Sequence, residues 1–285
     1  MRTLGRRWRA LLVLWGVLLL GCGATVAFYV LFPPAPIQIA VMGIDARFGE
    51  GNMARTDAIV LFSVHPSRFQ VAMLSVPRDL FIPAPNYGLQ RVNAIHVLGE
   101  MEREGGGPAL LLQSLNDRLG LRLSRYVRLN FGDFVAFIDA LGGIEIDVEK
   151  PIRDVNYPTE DYGIQTIVFE AGKQTMDGAR ALIYARTRQA DDDFSRARRQ
   201  QQIVNAIAQK ALHPTHWGAV LQAMSNFFDT DMSLIDVLAV APVLMVRAGQ
   251  YEALVIDRDF IQPGARGALP DDDKLAPWLD AYFRN

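Results

Sequence analysis

The sequence predicts an α/β domain, with an α+β arrangement as the alternative, behind a single N-terminal membrane helix. Three observations predict this: a long apolar N-terminal run, several short β-rich apolar runs, and helical segments among and after them. The chain has 285 residues, half of them hydrophobic, and a formal net charge of −2. That length suits one large domain or two small ones. The near-neutral charge argues against general nucleic-acid binding, which usually requires a basic surface.

The N-terminus contains the localisation signal. Residues 1–9 are rich in arginine, and residues 10–32 are apolar or small throughout. In a helix this run covers the hydrocarbon layer of about 30 Å. The basic flank predicts a cytoplasmic N-terminus and an extracytoplasmic domain. The alternative is a cleaved signal peptide, whose apolar region is usually about 7–15 residues long.

Cys22 is the only cysteine, and it lies within the apolar run. "LLGC" loosely resembles a lipoprotein cleavage site, but the apolar run continues beyond it, so we expect an uncleaved anchor. The exported part therefore has neither a disulfide nor a thiol nucleophile. The four histidines are scattered, without the spacing of a zinc site.

The first half of the domain alternates strands and helices. Residues 33–36 form a short proline-rich linker, and "IQIAVMGI", "AIVLFSV" and "FQVAMLSV" then predict three strands. "GPALLLQSLNDRLGL" predicts a helix, with Pro108 in its first turn and Gly120 as its stop. "RYVRLNF" and "IEIDVE" predict strands on either side of the helix "GDFVAFIDALGG".

The second half is mostly helical. A polar stretch near 154–165 precedes the short strand "TIVFE", and the helix "MDGARALIYARTR" follows with Asp177 as its predicted N-cap. "FSRARRQQQIVNAIAQKAL" predicts a long helix. "SLIDVLAVAPVLMV" predicts a buried helix, because Asp236, Pro242 and its length argue against a second membrane span. "YEALVID" predicts the last strand of a domain that covers residues 37–262, and residues 263–285 are expected to form a polar tail.

The loop in "GIDARFGEGNMARTDAIVLF" is a candidate metal site. If its flanking strands pair, Asp45 and Asp57 reach the same edge of the sheet. Mg²⁺ typically binds one or two carboxylates together with water and phosphate oxygens. The neighbouring Arg47 and Arg55 would add positive charge for phosphate. The alternative is a polar hairpin with surface ion pairs.

Further arginines follow at strand and helix ends. "SVPRDLFIP" contains Arg78 and "QRVNAIH" contains Arg91, whereas the segment 184–202 holds the densest charge cluster of the chain. In that cluster Arg196 and Gln200 share a helix face. The alternative is a charged helix-turn-helix surface. Two carboxylates and several arginines together favour a pyrophosphate ligand, and the chain has no P-loop or Rossmann glycine pattern.

The ordered motifs "GIDAR…RTDAIVL…SVPRD…RVNAIH…FVAFIDALGGIEI…GARALIYARTR…DDDFSRARRQQ" resemble the LytR-CpsA-Psr family. The resemblance runs from about Val41 to Lys210. It implies one domain with a mixed central sheet flanked by helices. It also implies an extracytoplasmic phosphotransferase that moves glycopolymers from polyprenyl-pyrophosphate carriers to peptidoglycan. The expected partners are the lipid-linked glycan, peptidoglycan and membrane lipid, without nucleic acid.

The resemblance also assigns roles to residues. Asp45 and Asp57 become ligands of Mg²⁺, with Mn²⁺ as an alternative, and Asp193 and Arg188 become the catalytic candidates. The pyrophosphate contacts would be Arg55, Arg78, Arg91, Arg186, Arg188, Arg196 and Gln200. Arg91 stands where the family commonly has lysine, which preserves the charge but changes the donor geometry. An apolar tunnel for the lipid is expected near "PALLLQSL" and "FGDFVAFI", although such residues also build ordinary cores.

Two other functions remain open at the level of sequence. A lipid pyrophosphate hydrolase, in which water replaces the sugar hydroxyl, would have nearly the same site. A membrane-bound regulator without catalysis is the non-enzymatic alternative.

Overall fold

A computed structural model describes residues 2–46, 51–158, 163–187, 193–247 and 250–284; within these ranges the side chains of 2–7, 9, 193–194 and 224–225 are outside the description. The first helix, α1, covers Arg2–Leu31. Its segment Ala10–Leu31 has no buried residue and is long and apolar enough to cross a membrane, and no other helix of the described ranges meets that test. This agrees with a single-pass membrane protein.

Helices and strands then alternate through most of the domain. The remaining helices are α2 (Val92–Glu102), α3 (Gly107–Leu119), α4 (Phe131–Ala140), α5 (Gly178–Arg186), α6 (Asp193–Ala211), α7 (Trp217–Asn226), α8 (Leu234–Arg247) and α9 (Asp272–Leu279). The strands are β1 (Ile37–Ile44), β2 (Thr56–His65), β3 (Gln70–Ser75), β4 (Phe81–Ala84), β5 (Gly88–Arg91), β6 (Leu123–Leu129), β7 (Ile144–Val148), β8 (Ile152–Pro158), β9 (Ile164–Phe169), β10 (Gly172–Met176), β11 (Asp229–Thr230), β12 (Glu252–Val255), β13 (Ile261–Pro263) and β14 (Ala268–Pro270).

The central sheet has six strands in the order β11-β6-β1-β2-β3-β12. β1, β2 and β3 form an antiparallel meander, whereas β6 runs parallel to β1 and β12 runs parallel to β3. The sheet is therefore mixed, as expected. Four two-stranded ribbons, β4-β5, β7-β10, β8-β9 and β13-β14, lie outside it.

The predicted helix boundaries have clear local causes. α3 ends at Gly120, which adopts a left-handed conformation with φ 63°, and its N–H donates to the Asn116 carbonyl. At the start of α4, Asn130 and Asp133 form a reciprocal capping box. At the start of α5, the Asp177 side chain accepts a bond from the Arg180 N–H, which confirms the predicted N-cap.

Among the described residues, two large apolar cores and two smaller apolar clusters hold the domain together. The first lies between the central sheet, α2, α3 and the C-terminal helix α9. The second lies among α4, α5, α6 and the ribbons β7-β10 and β8-β9, where the Phe169 and Tyr184 rings meet edge to face at 5.1 Å. The cavity described below lies between the central sheet and the helices α4, α5 and α6.

Three features differ from the sequence predictions. Residues 263–285 are more than a polar tail, because this stretch contains β14 and α9, and Leu275, Leu279 and Phe283 are buried in the first core. The strand β8 occupies part of the stretch interpreted as polar. The helix α8 is half exposed rather than buried, with Ile235 among its most exposed side chains.

Candidate functional site

The hairpin of β1 and β2 brings the two candidate metal ligands to one end of the sheet. Asp45 directly follows β1, and its N–H donates to the Arg55 carbonyl at 2.8 Å. Asp57 is the second residue of β2, beside the irregularity between Gly43 and Ile44. Arg55 itself is exposed. Arg47 lies outside the described residues.

Asp57 is held by an arginine from the loop after β3. Arg78 Nη1 donates to both carboxylate oxygens of Asp57, at 3.0 and 3.1 Å. Asp79 forms ion pairs with two arginines: its Oδ2 lies 3.5 Å from Arg78 Nε, and its Oδ1 lies 3.5 Å from Arg91 Nη1. The Arg91 guanidinium lies 5.6 Å from the centre of the Phe81 ring at the exposed end. Arg78 therefore joins the site directly, whereas Arg91 lies at its margin.

Arg186, the last residue of α5, faces Asp45. Its Nη2 is 4.0 Å from Asp45 Oδ1, and its guanidinium stacks 4.2 Å from the centre of the Phe131 ring. The Tyr157 hydroxyl lies near enough for the Arg186 charge to act on it. Burial raises the pKa of Tyr157, against the opposing effect of the Arg186 charge. The Arg186 guanidinium thus lies between an acidic, an aromatic and a phenolic side chain, at the mouth of the cavity described below.

A buried clamp holds the backbone next to Arg186. Thr187 is fully buried, and its Oγ1 donates to Asp154 Oδ2 at 2.6 Å. Its carbonyl accepts a bond from Arg199 Nη2 at 2.6 Å, and its N–H donates to the Ile183 carbonyl at 2.9 Å. Asp154 also accepts a bond from the Asn156 N–H at 3.1 Å. Sequence reasoning missed this clamp, since a threonine between two arginines is an inconspicuous signal.

The next helix, α6, contributes a buried arginine. Arg196 and Gln200, one turn apart, both line the cavity described below. The exposed Arg198 instead points toward Asp257, with 3.8 Å between Nη2 and Oδ2. Asp193 is the first residue of α6, but its side chain is outside the description. Arg188 lies outside the described residues, so both catalytic candidates stay predictions.

A second buried network supports the hairpin loop. His96 Nδ1 lies 2.9 Å from the Ala54 carbonyl, and Arg128 Nη1 lies 3.1 Å from His96 Nε2. Because the carbonyl only accepts, we assign the imidazole proton to Nδ1. Arg128 also donates to Glu100 Oε1 at 2.5 Å. Burial, followed by the Arg128 charge, lowers the pKa of His96, so a neutral imidazole holds the residue before Arg55.

A cavity of about 390 Å³ begins at this charged mouth and continues into the domain. Asp57, Arg186, Arg196 and Gln200 line its polar end. Its other walls are almost entirely apolar; they include Ile39, Val41, Val60, Phe62, Val127, Phe131, Phe134, Phe137, Leu182, Ile203, Val204, Ile207, Val240 and Leu244. Phe131, Phe134 and Phe137 belong to "FGDFVAFI", whereas the leucines of "PALLLQSL" lie in the first core. A charged mouth and an apolar body suit an amphiphilic ligand.

The two aspartates fit a hard divalent cation. Carboxylate oxygens are the donors that Mg²⁺ and Mn²⁺ prefer. Asp45, just after β1, and Asp57, at the start of the neighbouring β2, lie at the same end of the sheet, and each has an arginine nearby. Across the described ranges, no group of three or more His, Cys, Asp or Glu side chains is placed to hold a metal. A pair of carboxylates suits Mg²⁺ that keeps water and phosphate oxygens as its other ligands.

Comparisons with known proteins agree with this arrangement. The model of the LytR_cpsA_psr family matches residues 33–250. TagU of Oceanobacillus iheyensis, a polyisoprenyl-teichoic acid–peptidoglycan teichoic acid transferase, is 30% identical over 203 residues, which are 70% of this chain and 59% of TagU. The chain thus spans about three-fifths of the length of that relative.

Solved structures share the fold. B. subtilis TagV superposes with a TM-score of 0.69 at 23% identity, over 87% of this chain and 95% of TagV. TagT bound to LIIa-WTA superposes with a TM-score of 0.66 at 23% identity, over 87% of this chain and 89% of TagT. With its family model matched over most of its length, the chain belongs to the LytR_cpsA_psr family.

Proposed function

We propose that this protein is a membrane-anchored phosphotransferase that moves a glycopolymer from a polyprenyl-pyrophosphate carrier to a sugar hydroxyl of peptidoglycan. One observation carries the proposal: a single cavity joins an arginine- and aspartate-lined mouth to a long apolar interior. This pairing suits the charged head and the apolar tail of one ligand. The name of the relative TagU and the ligand in the TagT structure support it.

The anchor would place the site next to its substrate. A basic flank before the apolar run favours a cytoplasmic N-terminus, so the domain would lie on the outer side of the membrane. Only five residues, Phe32 to Pro36, separate α1 from β1. The domain therefore stays close to the bilayer that contains the lipid-linked donor.

The arginines would bind and orient the pyrophosphate. Arg186 and Arg196 line the mouth, where their guanidinium groups would each bind phosphate oxygens. The Thr187 clamp limits the movement of Arg186, and Arg78 orients Asp57. Phosphoryl transfer depends mainly on positioning and on charge stabilisation, so preformed cationic groups supply much of the catalysis.

The bond changes follow from this placement. The acceptor hydroxyl oxygen attacks the phosphorus that carries the glycan and forms a new P–O bond. The P–O bond to the second phosphate breaks, and polyprenyl phosphate leaves with the electron pair. The hydroxyl proton passes to a carboxylate, for which we propose Asp193, with Asp45 and Asp57 as the alternatives.

Asp45 and Asp57 would hold the divalent cation. When bound, Mg²⁺ would neutralise charge on the phosphate oxygens. The Arg78 guanidinium holds the Asp57 carboxylate in a fixed orientation, which reduces the side-chain freedom that metal binding must remove.

A transfer assay tests the proposal. The full chain in detergent receives labelled lipid-linked glycan with and without peptidoglycan, and the label is followed into the polymer. We expect Arg186→Ala to lower transfer by about 10²–10³-fold, the usual cost of losing one charge-stabilising donor. Arg180→Ala is the matched control, since Arg180 lies on the same helix and also stacks 4.2 Å from a phenylalanine ring, that of Phe169.

Two outcomes would contradict the proposal. Full transfer by the Arg186→Ala variant would remove the pyrophosphate assignment. Free glycan phosphate as the only product in the presence of peptidoglycan would instead identify a hydrolase.

A further inference from the structure

The helix α8 has an unusual exposed face. Five large apolar side chains on it are open to solvent: Leu234 (64%), Ile235 (78%), Leu238 (62%), Met245 (41%) and Val246 (66%). At 100° per residue these positions fall within one third of the helix circumference. They form a single stripe, here called the α8 stripe, that covers the length of the helix. A continuous exposed apolar patch of this kind marks an interaction surface.

The α8 stripe contains no charged residue. The only charged residues of the helix are Asp236 and Arg247. Asp236 accepts bonds from Arg125 Nε at 2.8 Å and from Arg125 Nη2 at 3.2 Å, and Arg247 Nε donates to the Phe69 carbonyl. Both charges are therefore engaged by the rest of the domain, and the stripe itself offers only apolar contact.

The opposite face of α8 is attached to the membrane anchor. Tyr29, in the last turn of α1, donates its hydroxyl to the Ala239 carbonyl at 2.6 Å. The Tyr29 ring packs with Val240, Val243 and Phe69. Tyrosines are typical of the membrane–water boundary, where the phenol reaches a polar partner. α8 thus lies at the depth where the apolar anchor ends.

We propose that the α8 stripe is inserted into the interfacial layer of the leaflet on the domain's side of the membrane. Its partner is the lipid bilayer that contains α1. At 14 residues the helix is about 21 Å long, too short to cross a hydrocarbon layer of about 30 Å, so it lies in the interface. An apolar stripe without charge suits acyl chains, and the Tyr29 contact holds α8 next to the bilayer.

This contact would also orient the cavity. Val240 and Leu244, on the other sides of the same helix, line the apolar end of the cavity. A docked α8 therefore separates the bilayer from the interior of the cavity by the width of one helix. The contact itself does not depend on the transferase function, because it rests on the anchor and the stripe alone.

Spin-label depth measurements test the proposal. Cys22 is the only cysteine, so Cys22→Ser provides a background for a nitroxide introduced through Leu238→Cys in the full chain. The matched control is Met101→Cys, because Met101 on α2 is equally exposed (65%). The protein is placed in nanodiscs of phosphatidylglycerol and phosphatidylethanolamine without substrate, and collisions with oxygen and with a nickel chelate are compared.

We expect the oxygen-to-nickel collision ratio at position 238 to exceed that at position 101 by at least fivefold. Equal ratios at the two positions would overturn the proposal. Protection from both reagents together with dipolar broadening between labels would also overturn it, since a second copy of the chain would then cover the stripe. Val246→Cys gives an independent measurement at the other end of the stripe. The measurement involves no turnover, so its failure is distinct from failure of the transferase proposal.

Discussion

Thr187→Val tests whether the buried clamp positions the arginines of the mouth. The substitution replaces one hydroxyl by a methyl group of similar size and leaves the backbone in place. It removes the 2.6 Å bond from Oγ1 to Asp154. The bonds from Arg199 to the Thr187 carbonyl and from the Thr187 N–H to Ile183 use backbone atoms, so they persist.

The expected cost follows from burial and charge. Thr187 and Asp154 are both almost completely buried, so water cannot replace the lost donor. A hydrogen bond to a charged group contributes about 1.5–3 kcal/mol, and we expect the free energy of unfolding to fall by that amount. For a domain of this size, this lowers Tm by about 3–12 °C. Misplacement of Arg186 is expected to lower kcat by about 10–100-fold, with a smaller change in KM.

Urea unfolding in detergent and the transfer assay provide the two measurements. Thr166→Val is the matched control, because Thr166 is an exposed strand residue and the same change there is expected to shift stability by less than about 0.5 kcal/mol. Thr187→Ser restores the hydroxyl and should recover most of the stability and kcat. A Thr187→Val variant within 0.5 kcal/mol of the parent, with unchanged kcat, would refute the clamp.

Three further predictions concern the cavity, the metal and the buried histidines. Ala208→Trp fills the apolar cavity, so we expect at least tenfold weaker binding of lipid-linked substrate without loss of stability, measured by equilibrium binding and thermal unfolding. Asp57→Asn removes one carboxylate charge, so the Mg²⁺ concentration for half-maximal transfer should rise at least tenfold, whereas a metal response like the parent's would contradict the assignment. His96 has a lowered pKa in the folded state, so the unfolded chain binds its proton first as pH falls below about 6.5, and stability should rise with pH between about 5 and 6.5. Buried His65, whose pKa burial also lowers, acts in the same direction, so His96→Gln should reduce the slope, measured by urea unfolding at several pH values, by up to about 1.4 kcal/mol per pH unit and leave part of it in place.

The sequence predicted the elements whose signals are local. The β1-β2 hairpin and the Asp177 cap depend on residues a few positions apart, and both appear as expected. β8 was missed because Asp154, its third residue, looks like a surface residue in the sequence. Only its burial beside Thr187 reveals a structural carboxylate.

The misread helices had a different cause. α8 is apolar on nearly every side, so its sequence has no polar face from which burial can be inferred. The structure buries Ala239, Val240 and Val243 and leaves the α8 stripe exposed, because β2, β3 and the anchor pack against the other side of the helix. In the C-terminal stretch, Leu275, Leu279 and Phe283 recur every four residues, a helical signal that the surrounding charges concealed.

The mouth itself depends on long-range topology. β1 and β6 are parallel, so their carboxyl ends meet at one edge, where Asp45 follows β1 and Phe131 follows β6. β2 runs antiparallel to β1 and therefore begins at that edge with Asp57. In this pairing Gln38 lies opposite Leu123, so the two strands are more than 80 residues apart in the sequence. No local sequence pattern predicts such a pairing. Once they do, the carboxylates and the aromatic platform for Arg186 must share one end of the sheet, which is why separate weak signals form one site.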